Sequence, residues 1–371
     1  MKRIMNILFV AIFFLCLVLP AVTMEFGKGV QSEIDNAYLP ELEFETFAEL
    51  EESLTDYVDK RIGFRKESLW MYQRINDMAF SMMEHPTYMY GQNDHVYFKG
   101  TSYMRHYQHL NLDEEYADSF AEALRGFHEY AEHRDSIFLY FYLPDKETVY
   151  PEYYPDTVNV YGDVSFSDQI LNALEKKGVP YLFAKDAMQE GKKDYLVNNK
   201  KYDAGHWNDH GAFVSIRQLF EELKEFYPQI QSLKQEEFIL GTKTMKSLLV
   251  SNFEINEEVP VYSLKETAAI NQTEALRERA KTLIPENYVC RYVNPECMDQ
   301  PKLLIFGDSY LAGYDCFFIN HFSEYTYIHR YNVYNQEFYE HYVDMLDPDI
   351  IIFENPERSH QIDLYKPNTL E

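Results

Sequence analysis

A serine hydroxyl relayed to an imidazole and a carboxylate makes an acyl-transfer centre, and this 371-residue sequence holds a candidate for each part. Ser309 closes the tripeptide Gly307-Asp308-Ser309. It lies between the apolar run Lys302–Phe306 and a segment, Tyr310–Phe322, whose pattern predicts a helix. A strand holds such a serine rigidly, Gly307 admits the tight turn, and backbone N–H groups at a helix start face a developing oxyanion. Gly307 and Tyr310 are therefore candidate oxyanion or substrate-binding positions. The same placement also suits a serine that merely caps a helix. Asp308 reads as a ligand of backbone N–H groups near the turn rather than as a reactant.

The base and its orienting group come from Lys201–Ala212, KYDAGHWNDHGA. Asp203 and His206 stand three apart, so in a loop the carboxylate can reach one imidazole nitrogen while the other faces away. Trp207 is expected to pack beside the ring. Asn208 reads as a helix N-cap and Asp209 as a first-turn residue, with Asp209 the substitute carboxylate should Asp203 not serve. The alternative for the whole segment is a surface loop with a capping role. Asp203, His206 and His210 also have the side chains of metal ligands. No Glu stands where a zincin places its base, and no third partner is apparent, so no metal or cofactor is expected.

Two further polar residues follow strand-like runs. Arg330, after Tyr325–His329, suits an oxyanion or a substrate hydroxyl or carboxylate. Asn355, after Asp349–Phe353, suits donation to an oxyanion. Their plainer readings are a surface salt bridge and a turn residue before Pro356. Tyr325, Tyr327, Tyr331 and Tyr334, with Arg330 and Asn332 among them, form a stretch that could line a sugar groove or simply fill a core.

The elements that must position these groups alternate. Ser136–Leu143 and Pro180–Ala184 read as strands, Asp113–Arg134 and Asp168–Lys177 as helices, and Trp207–Phe226 leads into another helix. Lys302–Phe306, Tyr325–His329 and Asp349–Phe353 are strands separated by Tyr310–Phe322 and Asn335–Leu346. Continuous apolar strands between amphipathic helices imply an α/β fold, a doubly wound parallel sheet with helices on both faces. Its ligands bind outside the carboxyl ends of the strands. Ahead of it lie an irregular stretch, 25–44, and two helical stretches, 46–62 and about 66–83. The expected division is an N-terminal segment 1–24, a stalk and helical appendage 25–90, and a catalytic domain 91–371.

Charge and hydropathy bound the compartment. Lys2 and Arg3 precede Ile4–Met24, which holds no charged residue. As a helix this run spans about 30 Å, a bilayer core, with the basic end on the cytoplasmic side. It is read as a retained anchor, or as a signal peptide despite the poor cleavage site Ala21-Val22-Thr23. Either way the remainder lies outside the cytoplasm. That remainder carries 32 basic against 61 acidic residues, a net charge of −29, which speaks against a nucleic-acid partner. Cys290 and Cys297, seven apart around Asn294-Pro295, are expected to close a disulfide loop in an oxidising compartment, or to stay free.

Together the GDS and DxxH blocks resemble the SGNH hydrolase superfamily, with the order reversed, His206 lying 103 residues before Ser309. That order, with His206-Trp207-Asn208 and Gly211-Ala212, is similar to the alginate O-acetyltransferase (AlgJ/AlgX) and DHHW type. Further similarities are Tyr57–Arg61, Gly63–Arg65, Val96–Gly100, Asp145-Lys146, Tyr150–Glu152 and Glu354–Arg358, so the resemblance covers most of residues 50–360. Alginate-type members place Asp two before the His; here that position is Ala204, and Asp203 stands three before. The resemblance implies a three-layer SGNH-like fold with circularly permuted motif order. It implies an acyl-serine intermediate on Ser309, with His206 as base and Asp203 orienting it. A polysaccharide would be the acceptor of the acetyl group and a membrane acyltransferase of the MBOAT type its donor. An esterase and a non-catalytic polysaccharide-binding or assembly protein are the competing outcomes.

Overall fold

Nearly unbroken apolar strands pair where both faces of a sheet are covered, and the central sheet is built from them. The computed structural model describes residues 2–32, 37–44, 46–249, 251, 253–280, 289–329 and 336–361. The strands are β1 (Ile137–Leu143), β2 (Tyr181–Phe183), β3 (Ile270–Asn271), β4 (Val289–Val293), β5 (Lys302–Gly307), β6 (Glu324–His329) and β7 (Ile350–Pro356). Their spatial order is β2-β1-β7-β5-β6-β4-β3. The strands from β2 to β6 are parallel, with Ile350 opposite both Ile137 and Leu303. β4 runs antiparallel to β6, and β3 antiparallel to β4, so the expected parallel sheet ends in an antiparallel edge.

Helices α1 (Glu114–Glu132), α2 (Phe166–Lys177), α3 (Asp209–Leu223) and α4 (Gln336–Leu346) cover it. Side chains alternate across the strands even though the sequence there is continuously apolar. Phe138 and Tyr140 of β1, Leu304 and Phe306 of β5, and Ile351 and Phe353 of β7 pack with α1, α2 and α4. Leu139, Phe141, Leu303, Ile305, Ile350 and Ile352 pack with Ile216, Leu219 and Phe220 of α3. The result is the three-layer α/β fold. In α1, Phe120, Leu124 and Phe127 face the sheet as their spacing requires. Asp113 caps α1, Ser165 and Asp168 form a capping box on α2, and Asn208 caps α3.

Residues 310–322 do not form the expected helix. They make successive turns and one short 3-10 segment, Asp315–Phe317. Gly313 sits at φ +86°, which ends any helical run. Leu311, Phe317, Phe318, Ile319 and Phe322 are all buried, so the helix-like spacing here records burial rather than helical geometry. The stretch expected to be irregular, 25–44, holds a small ladder of Gln31–Ser32 with Ala37–Tyr38. Cys290 and Cys297 are free thiols rather than a disulfide. Cys290 lies in β4, where burial pushes its thiol up to about 12, while Cys297 donates to the Asn320 carbonyl.

The chain divides into two compact units, Met1–Pro86 with Lys246–Asn256, and Thr87–Met245 with Glu257–Glu371. The first contains the helix Lys2–Val22, whose stretch Arg3–Val22 is long and apolar enough to cross a membrane, at mean hydropathy 2.7. It also contains the helices Phe47–Arg61 and Arg65–Phe80. The sheet and every site candidate belong to the second.

Candidate active site

The loop that carries Asp203 and His206 is held by a buried lysine and a half-buried glutamate. The Lys146 ammonium, immediately after β1, donates to the carbonyls of Val96 (2.9 Å), Asn199 (2.6 Å) and Lys200 (2.9 Å). The Glu257 carboxylate accepts from the backbone N–H groups of Lys200 (2.6 Å), Lys201 (2.9 Å) and Tyr202 (2.6 Å). The chain then turns at Asp203, which adopts φ +52°, a left-handed conformation that Asp tolerates better than most residues. Gly205 passes so close to its neighbours that a Cβ would fall 2.6 Å from the Phe98 ring and 2.9 Å from Arg358 Nη1. After His206 the chain enters α3 through Asn208, whose side chain accepts from His210 N and Gly211 N.

Both Asp203 carboxylate oxygens lie 2.9 Å from His206 Nδ1, and Oδ1 also accepts from Gly205 N and His206 N at 3.2 Å. His206 Nε2 lies 2.9 Å from Ser309 Oγ. Burial would raise the Asp203 carboxyl. The His206 hydrogen bond and charge, the Arg358 charge and the Gly205 N–H outweigh it and hold the group below its usual range. Asp209, the substitute carboxylate, is engaged elsewhere: Oδ2 accepts from Tyr262 N at 2.8 Å and Oδ1 from Tyr314 Oη at 3.4 Å. Burial raises its carboxyl. The linear series of contacts can pass a proton from a serine hydroxyl to an imidazole whose cation a carboxylate stabilises.

The turn at the end of β5 is fixed by Asp308, as its reading as a ligand of N–H groups required. Its N–H donates to Glu354 Oε2 (2.8 Å), its Oδ1 accepts from Tyr310 N (2.8 Å), and its Oδ2 accepts from Ser359 Oγ (3.2 Å). The Asp308 carbonyl accepts from the Tyr327 hydroxyl at 2.7 Å. Tyr310 N–H is therefore committed, whereas Ser309 N–H has no partner among the described residues. Gly307 lies in the strand, where a Cβ would meet Glu354 Oε2 and the Tyr327 ring at 2.9 Å. It serves the close approach of the sheet rather than a substrate.

Tyr310 is likewise a support. Its ring is buried under the site, with the hydroxyl 2.7 Å from the Gly205 carbonyl oxygen and 2.9 Å from Asp145 Oδ1. Its carbonyl accepts from Trp207 Nε1 at 2.9 Å. Arg358 stacks over the Tyr310 ring at 4.5 Å and donates to Asp145 Oδ1 (3.1 Å) and to the Gly205 carbonyl. Sequence reasoning assigned no role to Asp145 or Arg358. Their only signal was their presence in the short blocks Asp145-Lys146 and Glu354–Arg358, because charges 213 residues apart say nothing of each other in sequence.

A cleft of about 340 Å³ opens over Ser309 and His206, bounded by Trp207, Gly313, Tyr314 and Cys316. Asn355 does not reach it. It lies inside β7 rather than after it, opposite Tyr142 and fully buried. Arg330 lies outside the described residues, as do Tyr331, Asn332 and Tyr334. Tyr325 and Tyr327 pack into the core on the α3 side of the sheet and offer no sugar platform.

A parallel α/β sheet with a strand-end serine joined through histidine to aspartate is the architecture of the SGNH hydrolases. Residues 95–289, just over half of the chain, match the family described as the SGNH hydrolase-like domain of the acetyltransferase AlgX, and the chain belongs to that family. The match includes Asp203 and His206 and stops short of Ser309. Among solved structures the chain is similar to Bacillus cereus PatB1, with 12% identity over 74% of this chain and 97% of that one, at a TM-score of 0.54. PatB1 is also known with a sulfonyl adduct. The O-acetyltransferase domain of Pseudomonas putida AlgJ shows 15% identity over 75% of this chain and 93% of that one, at a TM-score of 0.48. No curated protein sequence matches the chain.

Proposed function

We propose that this chain is a serine O-acyltransferase that acetylates a cell-surface or exported polysaccharide outside the cytoplasm. The observation that carries the reading is the unbroken contact from Asp203 through His206 to Ser309 at one end of the sheet. His206 Nε2 takes the Ser309 proton as Oγ attacks the acetyl carbonyl of a donor. Ser309 N–H receives the oxyanion, and the leaving group departs with the proton from His206. A sugar hydroxyl, deprotonated by His206, then attacks acetyl-Ser309, releasing the acetylated acceptor and free Ser309. Asp203 stays ionised throughout and orients the ring.

Transfer rather than hydrolysis is supported by the family and by a second cavity. It measures about 550 Å³ and shares Tyr262 with the cleft over Ser309. Tyr195 and His210 stack there at 4.6 Å, and the Tyr262 hydroxyl lies 3.0 Å from His210 Nδ1. Burial lowers the His210 pKa, which favours its neutral form. Arg217 and Gln218 add hydrogen-bonding groups. Aromatic faces beside planar polar groups suit a sugar ring, which gives the acceptor a place to be held against competition from water. The donor is then a membrane acyltransferase of the MBOAT type, with residues 1–24 as the anchor, 25–90 as stalk and appendage, and 91–371 as the catalytic part. The test offers the purified protein an acetyl ester with and without oligosaccharide acceptors. Acetylated sugar should appear and free acetate fall as acceptor rises; rapid acetate release indifferent to every acceptor would make the protein an esterase.

A further inference from the structure

The helix Arg65–Phe80 has no buried residue, yet its sequence is rich in large apolar side chains. Met71, Tyr72, Ile75 and Met78 share one face by their spacing and are 56%, 55%, 55% and 75% exposed. The flank beside Met78 is engaged: Trp70 Nε1 donates to Glu254 Oε1 at 3.1 Å, and Arg74 pairs with Glu254 Oε2 at 2.5 Å. A 16-residue helix with an apolar stripe in water lacks the packing that stabilises most helices. Such a stripe marks a surface that something covers.

What covers it follows from how this helix begins. The turn before it is bound to the end of the apolar N-terminal segment. Gly63 N donates to the Pro20 carbonyl at 3.0 Å, and a Cβ at Gly63 would fall 2.8 Å from the Thr23 carbonyl oxygen, so only glycine admits this approach. Arg61, 3% exposed, donates to the carbonyls of Glu25 (3.1 Å), Gly27 (2.7 Å) and Pro40 (2.8 Å), and Glu25 N returns a bond to the Arg61 carbonyl at 2.9 Å. A spanning segment ends at the membrane surface. The helix that starts at Arg65 therefore starts at that level.

We infer that the stripe Met71, Tyr72, Ile75 and Met78 lies in the headgroup region of the membrane that Arg3–Val22 crosses, an inference resting on that segment being a retained anchor. Apolar burial at a lipid interface supplies the packing the helix lacks, and the joint at Arg61 and Gly63 fixes its starting depth. The experiment reconstitutes the full chain carrying Trp70→Phe and Tyr72→Trp into phosphatidylcholine vesicles. The remaining tryptophan, Trp207, is 2% exposed and provides the background, measured with Trp70→Phe alone. Lipid brominated near the carbonyl region should quench Trp emission at position 72, with a blue shift on reconstitution. Ile75→Glu with Met78→Glu should abolish both changes while sulfonyl labelling of Ser309 shows that the fold persists. Retention of the chain after alkaline carbonate without quenching would overturn the inference alone. Release by carbonate would overturn the anchor together with it, leaving the acyltransferase reading to its own test.

Discussion

At the scale of single residues, the proposed chemistry makes Asp203, His206 and Ser309 one unit. Ser309→Ala and His206→Ala are each expected to lower acetyl transfer by roughly 10³-fold or more, and the double variant to lose little beyond either single one. Multiplicative losses in steady-state assays would separate the two residues. Asp203→Asn tests the orienting carboxylate and carries a pH signature. The folded-state pKa of Asp203 is depressed, so its ionised pairing contributes stability present above the unfolded value of about 4 and lost as pH falls through the lower folded value. Denaturant unfolding should therefore show Asp203→Asn less stable than the parent by about 1–3 kcal/mol at pH 7, with the gap closing below pH 4. An equal gap at both pH values would remove the ion pair from the account. Tyr310→Phe deletes the hydroxyl between the Gly205 carbonyl and Asp145, and should cost about 1–3 kcal/mol. Because it acts on the loop rather than on substrate, it should also slow sulfonyl labelling of Ser309.

At the scale of elements, α3 joins the loop of the base to the core. Gly211 sits in its first turn against the Val197 carbonyl and 2.9 Å, measured to an added Cβ, from Trp207 Cβ. Gly211→Ala must push the helix start away from the segment that carries His206, and should destabilise by about 1–3 kcal/mol. Loss of transfer at temperatures where circular dichroism remains native would localise the damage to that joint. Asn208→Ala removes the cap and should cost about 1 kcal/mol. Elsewhere, β4 holds Cys290 among the buried side chains of the sheet while the Cys297 thiol is turned to Asn320. Both should be alkylated after unfolding without reductant, and a crosslinked peptide in mass spectrometry would contradict that placement.

For the whole molecule, the acidic composition and the apolar N-terminal helix, Arg3–Val22, bear on where it works. A net charge of −27 leaves no basic footprint for nucleic acid. The chain is expected to sediment with membranes after alkaline carbonate, with protease reaching residues 25–371 only from outside. A soluble form beginning near Met24 would show cleavage instead. The two units divide these parts: the apolar N-terminal helix and the helices Phe47–Arg61 and Arg65–Phe80 belong to one, and the sheet with the candidate site to the other.

Patterns that depend on neighbours in sequence were legible without coordinates. The strands Lys302–Phe306 and Asp349–Phe353, the face of α1, the Asn208 cap, and the Asp203–His206 spacing all follow from local geometry, since period and capping are set within a few residues. The sequence alone also determined the apolar N-terminal segment, whose length and hydropathy need no partner. What only the tertiary structure decided is everything joined across long separations. The sheet order, the antiparallel edge, and the proximity of His206 to Ser309 are of this kind. So is the Asp145–Tyr310–Arg358 support, because each depends on which surfaces remain to be buried once the local elements have formed. The same reason explains the errors. Tyr310–Phe322 has helical spacing, but Asp308 takes the Tyr310 N–H and Gly313 turns left-handed, so the segment buries its apolar residues through turns. Asn355 read as a strand-end donor, but β7 extends to Pro356 because β1 continues beside it to Leu143.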